Sequence, residues 1–266
     1  MEQPPHRVAM VTGVSGGPGK AVAMMLAELG WSLFIHTECS SEEGEAIIDE
    51  AIAAAEAKDA EIQVAAARAD LTDPAHREQL LDRAMDSLGQ IDMLVNAPWD
   101  SAAGPADLLE LTQDDYAEQM DSTATASIFT TQLVANEMVR QVQAGMIENP
   151  RIVTINSVHA YTSSTDYAPQ CLARATLSMM TRLFADRLGD YGINVYELRV
   201  GLLSTGADDP AHGKYDALIE QGITPIRRWG RSQDIARAVA AIAEDMLTFS
   251  TGEVINIDGG FHLRRL

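Results

Sequence analysis

The segment Thr12-Gly13-Val14-Ser15-Gly16-Gly17-Pro18-Gly19 decides the fold of this 266-residue chain. The apolar run at residues 7–12 (RVAMVT) predicts a β-strand, and residues 17–30 predict a helix. Glycine lets the backbone turn sharply and approach a pyrophosphate, and the helix N-terminus offers free N–H groups to the anion. The strand before and the helix after favour a dinucleotide site over a glycine-rich turn without a ligand.

Short apolar runs alternate with amphipathic segments along the whole chain. Strands are predicted at residues 7–12, 31–36, 62–69, 91–96, 151–156, 193–200 and 253–257. Helices are predicted at residues 17–30, 41–57 (opened by Ser41), 73–88 (with Pro74 first), 112–143, 169–188 and 232–246. This alternation predicts an α/β fold, a Rossmann-type doubly wound parallel sheet of about seven strands with helices on both faces. We expect one domain over residues 1–266.

Composition excludes several classes of function. The formal net charge of −20 argues against nucleic acid and anionic membranes as partners, because phosphates repel such a surface. No apolar run reaches the roughly 18 residues of a membrane span, and residues 1–7 lack the apolar core of a signal peptide. Cys39 and Cys171 form no paired motif, and the histidines do not cluster as metal ligands. We expect a soluble cytoplasmic protein without a metal.

The glycine motif resembles the nucleotide signature of the short-chain dehydrogenase/reductase family. Later segments match that family in the same order: Asp70, residues 192–199 (GINVYELR) with Gly201 and Thr205, residues 228–236 (RWGRSQDIA), Thr251-Gly252 and Asp258-Gly259-Gly260. The likeness covers nearly the whole chain and is nearest to the 3-oxoacyl-carrier-protein reductases.

The resemblance implies a nicotinamide dinucleotide as cofactor. It assigns cofactor binding to Thr12, Gly13, Gly17, Gly19, Glu38, Asp70, Asn96, Arg174 and Thr205. Asp70 corresponds to the adenine contact. Glu38 follows the second strand, where a carboxylate accepts from the ribose of NAD and repels the 2′-phosphate of NADP. We therefore expect NAD rather than NADP, although Glu38 as a solvated loop carboxylate is nearly as good an interpretation.

The family reduces carbonyls with a serine, a tyrosine, a lysine and an asparagine. Ser157 matches the serine, but the expected spacing places Gln170 at the tyrosine, Arg174 at the lysine and Thr123 at the asparagine. A rival register would use Tyr167, but it breaks both the serine spacing and the match to residues 171–180.

These replacements predict an atypical active site. A glutamine amide has no proton equilibrium near neutral pH, so Gln170 cannot act as a general acid or base. Arg174 can donate to a ribose, but with a bulkier and differently shaped group than an ammonium. Substitute proton donors near Ser157 are His159, Tyr161 and Tyr167, each of which is alternatively a loop residue without a catalytic role.

Three hypotheses for function follow. The first is an oxidoreductase acting on a carbonyl or alcohol with a rebuilt proton donor. The second is a catalytically silent nucleotide-binding subunit that pairs with an active paralogue, and the third is non-redox chemistry on the same scaffold. The substrate is a small molecule that the sequence does not identify. Residues 205–222 predict a small substrate lid, and apolar residues on more than one side of the predicted helices at 116–142 and 172–188 predict a homo-oligomer, most simply a tetramer.

Overall fold

One continuous parallel sheet of seven strands organises the chain. A computed structural model describes residues 7–98, 107–204 and 211–264. The strands are β1 (Val8–Val11), β2 (Ser32–Thr37), β3 (Val64–Arg68), β4 (Met93–Asn96), β5 (Arg151–Ser157), β6 (Asn194–Val200) and β7 (Glu253–Ile257). Their order is β3-β2-β1-β4-β5-β6-β7, with every pairing parallel.

Helices cover both faces of this sheet. They are α1 (Gly17–Glu28), α2 (Ser41–Glu56), α3 (Pro74–Leu88), α4 (Gln113–Gln119), α5 (Ala126–Gln143), α6 (Ala168–Leu188), α7 (Ala211–Glu220) and α8 (Ser232–Ala243). Apolar residues of α1, α2 and α8 form one core on one face, and those of α3, α5 and α6 form a second core on the other. The central strand β1 is apolar along its length, and β4 is apolar up to Asn96, because both faces of these strands are buried.

The strand order creates a crevice at the carboxyl ends of β1 and β4. Successive strands lie outward on one side through β2 and β3, and on the other side through β4 and β5. Connections therefore leave in opposite directions at the β1/β4 pair, which is where ligands bind in open α/β sheets. The glycine segment and Asn96 both lie at this edge.

The predicted fold is confirmed, and two of the differences concern helix ends. Ser40, not Ser41, caps α2, because its hydroxyl accepts from the Glu43 N–H while the Glu43 carboxylate accepts from the Ser40 N–H. The predicted helix at 232–246 ends at Ala243, since Asp245 has a φ of 61°, which a right-handed helix does not accommodate.

The predicted helix at 112–143 is interrupted in the middle. A π-helical segment, Met120–Thr125, separates α4 from α5. Such segments insert one extra residue into a helix, so the hydrophobic period before and after the segment is still helical and the sequence does not show the interruption. Of the predicted lid at 205–222, residues 205–210 lie outside the described residues. None of the described helices is both long and apolar enough to cross a bilayer.

Candidate functional site

The glycine turn after β1 is built so tightly that it excludes side chains. Gly13 has a φ of 70°, and a Cβ there would lie 2.2 Å from the carbonyl oxygen of Ala97. A Cβ on Gly19 would lie 2.3 Å from the carbonyl oxygen of Gly13. The helix α1 therefore begins directly against the segment after β4, with Gly17 in the lining of the crevice. Pro18 has no N–H, so the first-turn donors without an acceptor inside the helix are those of Gly17 and Gly19.

Thr12 and Asn96 fix the strand ends beneath this turn. The Thr12 hydroxyl accepts from the Ala97 N–H at 3.4 Å and donates to the Val95 carbonyl at 3.5 Å. The Asn96 amide donates to the Thr131 hydroxyl at 2.8 Å. Asn96 is 1% exposed, yet its Oδ1 atom has no hydrogen-bond partner among the described residues. Such an acceptor costs stability unless a ligand or water donates to it.

A buried histidine, His36 on β2, holds the glycine turn from the side. Its Nδ1 accepts the Gly13 N–H at 3.2 Å, and its Nε2 lies 3.0 Å from the Ala69 carbonyl. The two bonds require a neutral ring with the proton on Nε2. Burial lowers the pKa of His36, against the opposing effects of the Ala69 carbonyl and of Glu38 and Asp70. His36 thus ties β1, β2 and β3 together at the crevice.

A cavity of about 380 Å³ occupies the crevice. Its lining runs from the glycine turn and Glu38 past Asp70 to Asn96 and the π-helical segment. Four carboxylates line it, and no lysine or arginine does among the described residues; the four are Glu38, Asp70, Asp115 and Glu118. An anionic ligand therefore depends on backbone N–H groups and helix α1 for its attraction.

Glu38 and Asp70 flank one end of this cavity. The N–H of Glu38 donates to the Ser15 hydroxyl at 3.1 Å, which fixes the turn after β2 against the glycine segment. The Asp70 carboxylate accepts from the hydroxyl of Thr72 at 2.7 Å and from its N–H at 2.8 Å. These bonds lower the pKa of Asp70, so the group is ionised at neutral pH.

The residues at the three catalytic positions on β5 and α6 lie beyond the cavity. Ser157 ends β5, and its hydroxyl accepts from the His159 N–H at 3.3 Å. Gln170 and Arg174, one turn apart on α6, are 5% and 4% exposed. The Arg174 guanidinium donates from Nη2 to the Pro98 carbonyl at 2.7 Å and from Nη1 to the Ile155 carbonyl at 3.3 Å. It thereby joins the segments after β4 and within β5 to helix α6.

Thr123, at the fourth family position, lies in the π-helical segment. Its side chain is buried and accepts from the Gln119 amide at 2.7 Å, while its carbonyl accepts from the Ser127 hydroxyl at 2.7 Å. π-Helical turns occur frequently at functional sites, because they turn one side chain out of the helical register. Here that turn brings Thr123 to the wall of the cavity.

The substitute proton donors occupy different places. His159 and Tyr167 stack on each other, with ring centroids 5.6 Å apart. Tyr161 does not take part in this stack, and its hydroxyl donates to the Asp258 carboxylate at 3.4 Å. Burial raises the pKa of Tyr161 to about 12, and Asp258 adds to this effect. Tyr161 is therefore a poor acid at neutral pH.

The chain is similar to known proteins along most of its length. Residues 13–262 match a family model described as enoyl-(acyl carrier protein) reductase. The chain belongs to the short-chain dehydrogenase/reductase family. A 3-oxoacyl-[acyl-carrier-protein] reductase of Staphylococcus aureus is 26% identical, over 96% of this chain and 98% of the relative.

Solved structures of the family resemble the fold over its full length. The 3-oxoacyl-[acyl-carrier protein] reductase from Brucella melitensis in complex with NAD has a TM-score of 0.90 at 32% identity, covering 99% of this chain and 100% of that one. The acetoin dehydrogenase from Enterobacter cloacae has a TM-score of 0.83 at 26% identity, covering 97% and 96%. This short-chain dehydrogenase/reductase therefore has relatives among carbonyl and alcohol oxidoreductases.

Seven of the nine predicted cofactor residues lie at this cavity, whereas the buried Arg174 is not part of its lining. Thr12, Gly13, Gly17, Glu38, Asp70 and Asn96 all line the cavity, and Gly19 packs directly beneath the turn. Thr205 lies outside the described residues. Sequence reasoning missed His36. The available signal was a histidine directly after the apolar run Leu33-Phe34-Ile35 in a strand, since such a residue is buried and needs partners for both ring nitrogens.

Proposed function

We propose that this chain binds NAD(H) in the crevice between β1 and β4 and discriminates against NADP(H). The observation that carries the proposal is the lining of the cavity, with a glycine turn at one side and Glu38 at the end of β2. The donor chemistry fits a dinucleotide, because free N–H groups of α1 suit the pyrophosphate and carboxylates suit ribose hydroxyls.

Each wall of the cavity would have one task. The glycine turn would hold the pyrophosphate, Glu38 the adenosine ribose and Asp70 the adenine, while the Oδ1 atom of Asn96 would accept a hydrogen bond from the ligand. When bound, the nicotinamide ring supplies hydride transfer. The chain itself supplies orientation and a fixed turn, which His36 and Thr12 support.

Calorimetric titration with NADH and NADPH tests the preference. An added phosphate near Glu38 costs about 1 kcal/mol in water and about 4 kcal/mol at an effective dielectric constant of 20, for charges about 4 Å apart. We therefore expect NADPH to bind about tenfold more weakly or worse. Glu38→Arg should reverse the preference.

A matched control separates the local charge from the overall charge. Glu61 is also exposed, but it precedes β3 and so lies at the amino end of the strands, whereas Glu38 follows the carboxyl end of β2. Glu61→Arg should therefore leave the NADH/NADPH ratio unchanged. Absence of binding by both dinucleotides would overturn the proposed function, and tighter binding of NADPH would overturn the preference alone.

We further propose that carbonyl reduction by this chain does not use a proton from position 170. Gln170 is buried, and its amide can donate a hydrogen bond to an alkoxide but cannot transfer a proton to it near neutral pH. General acid catalysis contributes about 10²–10⁴-fold to a rate, so turnover of simple ketones should fall short of tyrosine-bearing relatives by about that factor.

The assay is NADH oxidation across a panel of ketones and 3-oxoacyl thioesters. Gln170→Ala should leave the low rate unchanged. A robust rate that Tyr167→Phe abolishes would instead show that the rival register is right, and loss in variants of His159 would identify a rebuilt proton donor.

The contacts of Arg174 favour a second candidate function. Its guanidinium donates to two backbone carbonyls, whereas the lysine that the family resemblance implies at this position holds the nicotinamide ribose. The second candidate is a catalytically silent, nucleotide-binding subunit that pairs with an active paralogue. Complete absence of turnover together with intact NADH binding would support it.

A further inference from the structure

We infer that the affinity of this chain resides in the ADP moiety of its ligand, and that the nicotinamide riboside half adds little. The inference rests on the proposed binding of NAD(H) and concerns which part of that ligand is recognised. The ligand class is then any compound with an ADP group linked to a further substituent, ADP-ribose included.

The cavity itself supports this division. Its walls are the glycine turn, the ends of β2 and β3, Asn96 and the π-helical segment. Neither Ser157, Gln170 nor Arg174 belongs to its described lining. The residues that line the cavity are therefore the ones whose groups suit adenosine and pyrophosphate.

Arg174 is the strongest single observation. In the family mechanism a lysine at this position holds the nicotinamide ribose, which requires its charged group to face the ligand. Here the guanidinium is 4% exposed and donates to the Pro98 and Ile155 carbonyls, at 2.7 and 3.3 Å. A ribose would have to replace these charge-assisted bonds, so contact with Arg174 brings little net gain.

Two neighbouring positions differ from the family pattern as well. The Thr123 hydroxyl accepts from the Gln119 amide at 2.7 Å. Gln170 is 5% exposed and is shorter in reach than the phenol for which it substitutes. The groups at the family's tyrosine and lysine positions are thus both altered, whereas the adenosine side keeps Glu38 and Asp70.

Three ligands of equal formal charge test the inference: NADH, ADP-ribose and the β-methyl ester of ADP. NADH and ADP-ribose differ by the dihydronicotinamide ring, and ADP-ribose and the methyl ester differ by the second ribose. Calorimetry should give three dissociation constants within about fivefold of one another. A larger spread, with NADH tightest, would overturn the inference, while absence of binding by all three would instead reject the proposed NAD(H) site.

The variant Arg174→Lys tests the cause. The shorter ammonium cannot reach both carbonyls, so the NADH affinity relative to the methyl ester should rise by about tenfold. An unchanged ratio in a folded variant would show that Arg174 is not responsible. Since the wild-type series needs no substitution, instability of the variant leaves the main test intact.

Discussion

His36 makes the stability of the dinucleotide crevice sensitive to acid. Its ring is 1% exposed and neutral, with Nδ1 accepting the Gly13 N–H and Nε2 donating to the Ala69 carbonyl. A proton on Nδ1 would face the Gly13 N–H and break that bond. Glu38 and Asp70 are the charged groups nearby, and both oppose the effect of burial on the pKa without cancelling it.

The sign of the pH dependence follows from the lowered pKa. The unfolded chain takes up this proton at about pH 6.5, the ordinary value, whereas the folded chain takes it up only at lower pH. The contribution of neutral His36 is therefore complete above pH 6.5 and is lost as the pH falls from 6.5 toward the folded pKa. One proton allows a slope of at most about 1.4 kcal/mol per pH unit.

The perturbation is His36→Asn, because asparagine keeps an acceptor for Gly13 and does not titrate. It leaves the Ala69 carbonyl without its donor, which should cost about 1–3 kcal/mol at pH 8. Urea unfolding of both proteins between pH 5.5 and 8 gives the free energies of unfolding. Their difference should be constant above about pH 7 and shrink below pH 6.5.

Subtracting the free energy of unfolding of the variant from that of the wild type at each pH cancels the contributions of the other carboxylates and histidines, because both proteins contain them. Parallel stability curves down to pH 5.5 would refute the argument, since they would mean that His36 binds no fewer protons in the folded state. A difference that grows in acid would contradict the sign.

Three further outcomes follow from the site and the helix faces. Gly13→Ala should abolish NADH binding by calorimetry and lower the midpoint of urea unfolding, because left-handed backbone costs an alanine about 1 kcal/mol or more and its Cβ would lie 2.2 Å from the Ala97 carbonyl oxygen; binding at the wild-type affinity would contradict this. The double variant Gln170→Tyr with Arg174→Lys should raise the rate of ketone reduction by about tenfold over wild type, short of the full 10²–10⁴-fold range because Thr123 is unchanged; no gain would argue that the register is wrong. We expect light scattering at micromolar concentration to give the mass of a tetramer, since Leu183 is 63% exposed on α6; Leu183→Glu should lower that mass, and a monomeric wild type would reject the assembly.

Sequence reasoning reached the fold because its signals are local. The glycine spacing after β1 and the alternation of apolar and amphipathic runs are both readable without knowing any long-range contact. Seven strands, the parallel order and the covered faces followed from them. The placement of Gly13 and Asn96 at the carboxyl ends of neighbouring strands follows in the same way, because Asn96 ends β4 and Gly13 comes two residues after β1.

What the sequence did not contain were the long-range hydrogen bonds. His36 and Gly13 are far apart in sequence, and their bond depends on the register of β1 against β2. The contact of Arg174 with Pro98 depends in the same way on how α6 packs on β5, the strand next to β4. The π-helical turn at Met120–Thr125 leaves the hydrophobic period unbroken, so no pattern indicates it.

The acidic lining of the cavity has a kinetic consequence. An anionic nucleotide approaching Glu38, Asp70, Asp115 and Glu118 meets repulsion before it reaches the N–H groups of α1. At 0.1 M salt, dissolved ions largely screen interactions between exposed charges that are more than about 10 Å apart. They weaken contacts already formed inside a crevice much less. The association rate should thus increase with ionic strength while the dissociation rate changes little. In proteins with basic clefts, added salt lowers the association rate of an anionic nucleotide. For this chain we expect the opposite, with the highest association rate at high salt concentration.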